Sequence, residues 1–552
     1  MKRLGVLLIT VALIPSIVGC PADSGPEPTP PDEYTLTISS TEGGSVTVPG
    51  EGTFTYDEGE VVELMADADE GYRFVNWIGE VGTIADVNDA KTTITVNDGY
   101  SITASFGASV LTAGGSGKYA TIQEAINAAR SGDTIQVAQG TYMENVTVET
   151  SKSFTLQGGW DSGFTSRSND CRLTVIDGKG SGSAVQVYAG PSVAIELAID
   201  GFTIRNGVAE LGAGIRVVSD RGSSVALLLN NNLIAGNTAT NRGGGISMES
   251  AGGTIDARVT NSIIAENAAD AEGGGIRVNS SNGGVAALTL TRNVIANNTV
   301  SYLLESEGGW DGGGIAVYAS GSGSTTVQAM NNVFAANEAA YGGGLFGYAW
   351  GPEAAVTMIL TNNIITGNRA QYGAGIFSCS GKTCPVGQPG GLIKWVLTNN
   401  TVTSNTASQG VGGIHMHSGS TFGDGGNMSL SMQNDIVHGN SDEQVTFRVE
   451  SGKSGAVTAN MSYCNVGAIG CDGGSTYTTD HVINKDSLFV DPVNGVFLLQ
   501  EGSPCVDSGD PDTAFNDGRR PPGKGTERND MGAYGGPNNY GWPESGWDTA
   551  GD

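Results

Sequence analysis

The central and C-terminal parts of the chain repeat one pattern of hydrophobic and polar positions. A block of the form Asn-apolar-apolar-small-x-Asn recurs, with variants, and its last residue is Asn206, Asn237, Asn267, Asn298, Asn337, Asn368, Asn405 and Asn440. These asparagines are 31, 30, 31, 39, 31, 37 and 35 residues apart, and a Gly-rich block ending in Ile or Leu follows the first seven. A period near 31 with β-branched runs and no helical periodicity predicts stacked coils of strand, that is, a parallel β-helix. An asparagine in each coil predicts amides that stack and hydrogen-bond along the axis.

Strand alternation predicts which side chains of each coil point outward. The residues one and three positions after the Ile or Leu of each Gly-rich block form two columns on one exposed face. We predict a ligand-binding face made of Arg216, Glu249, Arg277, Tyr318, Phe346, Tyr348, Phe377, His415 and His417. Exposed aromatic rings suit the apolar faces of sugars, and the alternative is that these rings only form ladders that stabilise the sheet. Loops at 299–311, with Trp310, and at 379–390 are predicted beside this face.

Two further groups of residues are candidates for chemistry. His415 and His417 point the same way from one strand, so they would bind a metal or act as acid and base, unless they are an inert surface pair. Near the C-terminus, oxygen ligands at short intervals would hold a calcium ion. That cluster comprises Asp507, Asp510, Asp512, Asn516 and Asp517. Its spacing is not that of an EF-hand, and turn-forming residues explain it equally well.

The N-terminus carries the features of an export signal. Lys2 and Arg3 precede an apolar run, and Ile17-Val18-Gly19-Cys20 follows. This segment resembles the bacterial lipobox, which implies that residues 1–19 are removed and that Cys20 carries lipid. Residues 20–33, rich in Pro and acidic residues, are then an extended tether. The resemblance implies a lipid-anchored protein of the cell envelope, in the outer membrane or on the cell surface, whose Cys20 anchor makes the lipid membrane a partner.

Composition narrows the possible partners. The chain has 86 glycines among 552 residues and a formal net charge of −30. A surface this acidic argues against a nucleic-acid partner, because phosphate binding needs basic residues. An extracellular polysaccharide or a surface protein remains as the partner. No cofactor is predicted apart from the candidate calcium ion.

Residues 34–107 form a separate region of short alternating segments between Gly and Asp turns. This pattern predicts a small antiparallel β domain. The segment Gly71-Tyr-Arg-Phe-Val-Asn-Trp77, with the closing Phe106, resembles the divergent internalin-type B-repeat of bacterial surface proteins. That resemblance implies a spacer or interaction module. Trp77 is predicted to pack in the core, with a ligand platform as the alternative.

Residues 108–537 are predicted to be the β-helix with its caps, and 538–552 a tail. An amphipathic segment, Tyr119–Arg130, and two strand-like runs after it resemble the N-terminal cap of pectin-lyase-like right-handed β-helix proteins. Segments around Asp491–Leu498, Gly502–Asp507 and Asn529–Tyr534 resemble the closing part of exported bacterial β-helix proteins. The fold class is therefore all-β, a right-handed parallel β-helix preceded by a small β module. The Asn-Thr-Asp, Asp-Asp and Gly-His-Gly blocks of β-helix polygalacturonases are absent, so the resemblance supports fold and not activity.

Six cysteines remain when Cys20 is set aside, and export permits disulfides. Cys379 with Cys384 and Cys464 with Cys471 would close small loops, which leaves Cys171 with Cys505, although sequence does not fix this pairing. The sequence favours a non-catalytic surface lipoprotein that acts by adhesion or glycan binding. The alternatives are a polysaccharide lyase or glycoside hydrolase of the pectin-lyase-like fold, and a structural envelope component.

Overall fold

A computed structural model describes residues 32–69, 71–108, 110–112, 118–149, 151–301, 311–381, 389–419, 424–451 and 453–542. Cys20 and most of the predicted tether lie outside these ranges, as do Trp310 and Cys384. In the described ranges, no helix has both the length and the apolar composition needed to cross a membrane.

The N-terminal module consists of two small sheets. Leu36, Ile38, Leu64 and Ile102 alternate with exposed polar residues along its strands, which is why each strand buries one face. Its strands are Glu33–Ser40, Gly44–Val48, Gly52–Asp57, Glu60–Ala68, Tyr72–Gly79, Lys91–Val96 and Tyr100–Ala108. The pairs Glu33–Ser40 with Gly52–Asp57 and Glu60–Ala68 with Lys91–Val96 are antiparallel, as predicted. The first and last strands, from Leu36 opposite Tyr100 onward, instead pair in parallel. Trp77 is 1% exposed and donates its indole N–H to the Asp89 carbonyl, which confirms the core assignment.

The β-helix is built from coils that each contribute one strand to each of three sheets. The long sheet has fourteen strands, and the second and third sheets have eleven each. Strands of successive coils pair in parallel and in register, as with Ile246 opposite Ile276 and Ile276 opposite Ile315. Eleven coils at ~4.8 Å per strand extend about 48 Å along the axis. The repeat and the fold class predicted from the sequence are confirmed.

The strand bounds follow the sequence repeat. The long sheet contains Val110–Thr112, Lys118–Tyr119, Thr134–Ala138, Ser153–Trp160, Ala194–Asp200, Ser224–Asn230, Thr254–Thr260, Val285–Thr291, Ser324–Met330, Ala355–Thr361, Leu392–Thr398, Asn427–Gln433, Ala456–Ser462 and Thr476–Asp480. The second sheet contains Gly140–Met143, Thr174–Asp177, Thr203–Arg205, Leu233–Ala235, Ile263–Ala265, Val294–Ala296, Val333–Ala335, Ile364–Thr366, Thr401–Thr403, Ile436–Val437 and Asn465–Val466. The third sheet contains Val146–Val148, Val185–Ala189, Ile215–Asp220, Ile246–Ala251, Ile276–Ser281, Ile315–Ser320, Leu345–Trp350, Ile376–Ser380, Ile414–Ser418, Val445–Val449 and Ile469–Asp472.

Short strands lie between the second and third sheets in several coils. They are Val208–Leu211, Thr238–Arg242, Ala268–Ala269 and Thr299–Val300, which form one small sheet, and Arg369–Ala370 with Thr406–Ala407. The Gly-rich blocks follow these strands and turn the chain into the third sheet. A Cβ at Gly244 or Gly274 would lie under 3 Å from backbone oxygens of the neighbouring coil, which explains the need for glycine here.

A short helix, Ile122–Ala128, precedes the first full coil, within the segment predicted to be helical. Thr121 and Glu124 form a capping box, in which the threonine hydroxyl accepts from the Glu124 N–H and the glutamate carboxylate accepts from the Thr121 N–H. Ile122 and Ile126 are buried against the first coils. This arrangement covers the core of the starting coil, as the resemblance to an N-terminal cap implies.

Two columns of polar side chains, nearly all of them asparagine amides, run along the inside of the coils, where the sequence predicted one. The first consists of Asn232, Ser262, Asn293, Asn332, Asn363, Asn400 and Asp435, and the second of Asn237, Asn267, Asn298, Asn337, Asn368, Asn405 and Asn440. Asn298 shows the pattern: its Nδ2 donates to the Ile264 carbonyl at 2.8 Å and to Asn337 Oδ1 at 3.0 Å, and its Oδ1 accepts from the Asn267 N–H. Asn298 therefore links three successive coils, and Asn267, Asn337 and Asn368 do the same.

The C-terminal segment runs back along the side of the β-helix. Its regular elements are the hairpin Phe489–Asp491 with Val496–Leu499 and the 3₁₀ turns Pro492–Asn494 and Thr513–Phe515; a further 3₁₀ turn is Cys171–Leu173. A third column of asparagines, in the left-handed conformation after the long-sheet strands, holds this segment. Asn399 donates to the Asp530 carbonyl, Asn362 to the Ala533 carbonyl and Asn331 to the Tyr540 carbonyl. Tyr540 belongs to the predicted tail, so the closing segment extends beyond 537.

We expect Asn298→Ala to destabilise the β-helix by about 2–4 kcal/mol. The substitution removes buried hydrogen bonds and leaves their partners in neighbouring coils unpaired, at about 1–3 kcal/mol for each unsatisfied group. The denaturation midpoint followed by circular dichroism measures the effect. Asn427→Ala, at an exposed strand position, is the matched control and should change stability by under about 0.5 kcal/mol. Equal losses in both variants would contradict a stabilising role for the column.

Asp435 makes stability depend on pH. Burial raises the pKa of Asp435 to about 7, whereas an aspartate in the unfolded chain titrates near ~3.9. Between these values the folded state keeps a proton that the unfolded state releases. The contribution of Asp435 to the free energy of unfolding should therefore fall as pH rises from about 4 to about 7. This slope reports how many more protons the folded state binds than the unfolded state. In Asp435→Asn that difference should decrease by up to about one proton, as measured by denaturation at a series of pH values. Asp442→Asn, at an exposed position, should keep the slope.

Candidate functional site

The predicted ligand-binding face points away from the coil interior, but its aromatic part is buried. Ala316, Tyr318, Phe346, Tyr348, Phe377 and Cys379 form a second apolar cluster, here called the side cluster. Tyr318 and Tyr348 are each 8% exposed and Phe346 is 1% exposed. Tyr341, Trp350 and Tyr372 pack against them. The prediction of an exposed aromatic row is wrong.

Ring stacking explains the burial of the side cluster. Register-paired side chains of adjacent coils lie close enough for their rings to stack, and Phe346 and Phe377 lie parallel with centroids 5.9 Å apart. Tyr341, from the Gly-rich turn, lies 5.1 Å from Phe377 and 5.5 Å from Tyr372. The rings therefore pack against one another, and Tyr318, Phe346, Tyr348 and Phe377 have almost no exposed surface for a sugar. The alternative interpretation, a ladder that stabilises the sheet, is the arrangement found.

The charged residues of the predicted face are also engaged. Arg277 is 5% exposed, and its Nε lies 2.7 Å from Glu272 Oε2. Its guanidinium lies 5.5 Å from the centre of the Tyr318 ring, whose hydroxyl donates to Asp311. Burial raises the pKa of Tyr318 well above its usual value, so the phenol stays protonated. Arg216 and Glu249 stay half-buried at the start of the face.

His415 and His417 lie side by side as predicted, with parallel rings 6.0 Å apart. His415 is 7% exposed, packs edge-on against Phe377, and has no hydrogen-bond partner at either ring nitrogen. Burial, aided by the charges of His417 and Arg448, lowers the pKa of His415 to about 3. His417 Nε2 lies 3.4 Å from Glu450, and burial also lowers the pKa of His417. His415 is buried and His417 is half-buried, so the pair does not lie exposed on the surface as the prediction of an acid and base required.

The acidic residues near the C-terminus hold separate turns. The Asp507 carboxylate accepts from Thr526, Asp510 accepts from Gln433 Nε2 at 2.7 Å, and Asp512 caps the turn at 513–515. Asp517 accepts from the Gly536 N–H, and burial with the nearby Asp530 raises the pKa of Asp517 to about 7. Within the part of the chain that the structure describes, no three His, Cys, Asp or Glu side chains are grouped so as to hold a metal. Calcium binding by Asp507, Asp510, Asp512, Asn516 and Asp517 stays a prediction.

The predicted pairing of Cys464 with Cys471 is wrong. The buried Cys464 thiol donates to the Ser462 carbonyl, and the exposed Cys471 thiol, on the strand Ile469–Asp472, donates to the Ser475 carbonyl. Cys171 and Cys505 are likewise free thiols. Cys384 lies outside the described residues, so its pairing with Cys379 stays a prediction.

A groove that sequence reasoning missed lies on the outer face of the long sheet. It has a volume of about 580 Å³, and side chains from the first parallel strands line it. Its floor contains Ala198 and Ala226, and Leu228 beside them is 41% exposed. The groove crosses five strands, which corresponds to about 19 Å at ~4.8 Å per step. Small outward side chains leave this space open.

The register of the paired strands determines which charged side chains become neighbours in the groove. Glu196 pairs with Ala226, and Ala226 pairs with Asp256, so the two carboxylates share one column two strands apart. Asp256 Oδ2 lies 3.8 Å from Arg258 Nη2, and both side chains are more than half exposed. Asp133, whose carboxylate accepts from the Arg130 N–H, lines one end. The only local signal in the sequence is the charge at alternate positions of Thr254-Ile-Asp-Ala-Arg-Val-Thr260.

Residues 34–110 match the family model of the divergent InlB B-repeat domain. This match confirms the resemblance based on Gly71–Trp77 and Phe106. Among solved structures, pectate lyase Pel9A is similar to this chain, with 12% identity, 76% of this chain and 92% of that chain covered, and a TM-score of 0.38. At this identity and TM-score the similarity says nothing of activity. No curated protein matches the chain.

We expect His415→Leu to stabilise the protein by about 1–3 kcal/mol at neutral pH, because it removes buried polar atoms that lack partners. The contribution of His415 to the free energy of unfolding should decrease as pH falls below about 6.5, opposite in sign to that of Asp435, because the unfolded chain then binds a proton at this histidine that the folded chain does not bind until about pH 3. His415→Leu should weaken that loss. Denaturation between pH 4 and 8 measures both effects, with the half-buried His438→Leu as control. A destabilised His415→Leu variant with an unchanged pH profile would refute the interpretation.

Proposed function

We propose that this protein is a non-catalytic binding protein that holds an extended polysaccharide along the outer face of the long sheet. The groove over Ala198, Ala226 and Leu228 carries the proposal, because it is open, continuous across five strands and lined by both apolar and polar groups. Binding sites combine apolar area with a few placed polar groups in this way.

The periodicity of the β-helix suits a polymer. Each step along the axis presents the same strand position again after ~4.8 Å, so a linear chain meets a regular series of side chains. Thr155 and Ser153 offer hydroxyls, Leu228 offers an apolar surface, and Glu196 accepts hydrogen bonds. The hydroxyl-rich edges of a sugar chain can bond to these polar groups, and its apolar faces can pack on Leu228.

The proposed location is the bacterial cell surface, with the lipid anchor at Cys20 holding the chain to the membrane. The match of residues 34–110 to a B-repeat domain supports this location, since the resemblance links such modules to bacterial surface proteins. The formal net charge of −30 would keep neighbouring copies apart.

A glycoside hydrolase is the second candidate, and the spacing of Glu196 and Asp256 is what favours it. Two strand steps separate them by about 9.6 Å along the sheet, close to the upper end of the spacing of carboxyl groups in inverting enzymes. Against it, Asp256 is 54% exposed beside Arg258, whereas catalytic carboxyl pairs depend on contrasting, partly desolvated environments.

We expect Ala226→Trp to weaken polysaccharide binding at least about tenfold, because the indole would fill the groove floor. Thr458→Trp is the matched control, since it lies in the same outward column of the long sheet, seven coils further along, and away from the groove. Biolayer interferometry of the full chain against immobilised neutral, acidic and amine-bearing polysaccharides measures binding. Equal affinity in Ala226→Trp and wild type would place the site elsewhere.

The same panel separates the alternatives. Release of shorter chains by wild type, lost in Glu196→Gln, would replace the binding proposal with the hydrolase. Self-association without binding to any polysaccharide would favour a structural envelope component.

A further inference from the structure

The geometry points to an amine-bearing polysaccharide, a polymer of unacetylated amino sugars, as the ligand of the groove. This inference rests on the proposed function and names its substrate class. It depends on three observations. The charged side chains of the lining are mainly acidic, the described lining has no exposed aromatic ring, and the strands under the groove are already hydrogen-bonded to neighbouring strands on both sides.

The lining side chains carry more negative than positive charge. Asp133, Glu196 and Asp256 contribute three carboxylates, and Arg258 contributes the one guanidinium. The Arg258–Asp256 contact, 3.8 Å between two exposed side chains, is a weak ion pair. A polymer with carboxylate groups would be repelled here, whereas ammonium groups find hydrogen-bonding partners of opposite charge.

The distance between Glu196 and Asp256 also determines how far apart two ammonium groups of the ligand should be. Ala226 lies between them in the column, so two ammonium groups on one chain can each meet a carboxylate, with a sugar ring over the alanine. Thr155 and Ser153 remain for hydroxyl groups. The groove therefore matches a polymer in which amines and hydroxyls alternate along an extended backbone.

Aromatic stacking contributes little in this groove. The one aromatic residue among its described lining is Phe154, which is 4% exposed and belongs to the coil interior. Neutral glycans are held largely by exposed rings, and such rings are not found in this lining. Charge and hydrogen bonds must then supply most of the affinity.

A cationic peptide fits the groove less well than a polysaccharide. Peptides that bind sheets add a strand to an open edge. The strands under the groove are paired on both sides, so their backbone groups are already used. A peptide backbone would meet only side chains, and its amides would gain few partners.

The test compares chito-oligosaccharides that bear free amines with fully acetylated oligomers of the same length, using full-length protein in mildly acidic buffer, where glucosamine amines are protonated. We expect the amine form to bind at least about tenfold more tightly, equivalent to about 1.4 kcal/mol. The double variant Glu196→Gln, Asp256→Asn should bind the amine-bearing and the acetylated oligomers with equal affinity. Glu353→Gln with Glu501→Gln, exposed positions away from the groove, gives the same charge change and should keep the preference.

Several outcomes would overturn the inference. Equal binding of the acetylated oligomer or of polygalacturonate would show that charge does not select the ligand. Equal loss in the control double variant would show a non-specific effect of net charge. An oligolysine of matched charge that competes at equal affinity would favour a cationic peptide. If acetylated oligomers bind and Ala226→Trp blocks them, the proposed function stands and only the ligand class fails, whereas no binding of any polysaccharide removes both.

Discussion

The buried asparagine columns impose the constraint on which the rest of the β-helix depends. A primary amide buried in an apolar interior is costly unless its donors and acceptor are all used. Asn298 meets this condition only because Asn267 and Asn337 stand at the same place in the coils on either side. A shift of one residue would leave amides facing aliphatic side chains. The columns therefore fix register, and register fixes which outward side chains become neighbours.

The same constraint shows where the chain can vary. Between Asn298 and Asn337 the repeat is 39 residues long, yet the Asn298 N–H reaches Asn337 Oδ1 at 3.0 Å, as in uninterrupted coils. In the sequence, the extra residues lie between Ser301 and the Gly-rich block, outside the column. At the C-terminal end of the first column, Asp435 replaces the amide, and burial raises the pKa of its carboxyl group to about 7. Ser262 replaces the amide nearer the other end, where its hydroxyl accepts from the Asn232 N–H, so the column tolerates other polar side chains that can accept the same backbone hydrogen bond.

The sequence predicted the features that repeat, and it failed on features that depend on distant neighbours. Spacing and residue type were enough to predict the coils, the amide stacking and the helix at 122–128. Alternation also placed Phe346 and Tyr348 correctly on the outer side of the third sheet, but it does not tell what lies over them. Tyr341 and Tyr372 cover this side from the preceding turns. Glu196 and Asp256 are 60 residues apart, and only register brings them into one column, so no local motif marks the groove.

Packing on the other two sides of the β-helix argues for the long sheet as the binding surface. The third sheet fills much of its outer side with the aromatic side cluster. On the second sheet, Phe497 and Ala533 of the C-terminal segment lie against Val294, Val333 and Ile364. The outer face of the long sheet instead carries mainly Thr, Ser, Ala and a few aliphatic side chains, and its acidic groups collect near the N-terminal end. A ligand that binds a rigid, regular and mildly acidic surface gains most if it is itself regular and carries positive charge, because each favourable contact then recurs at the next coil without any rearrangement of the protein.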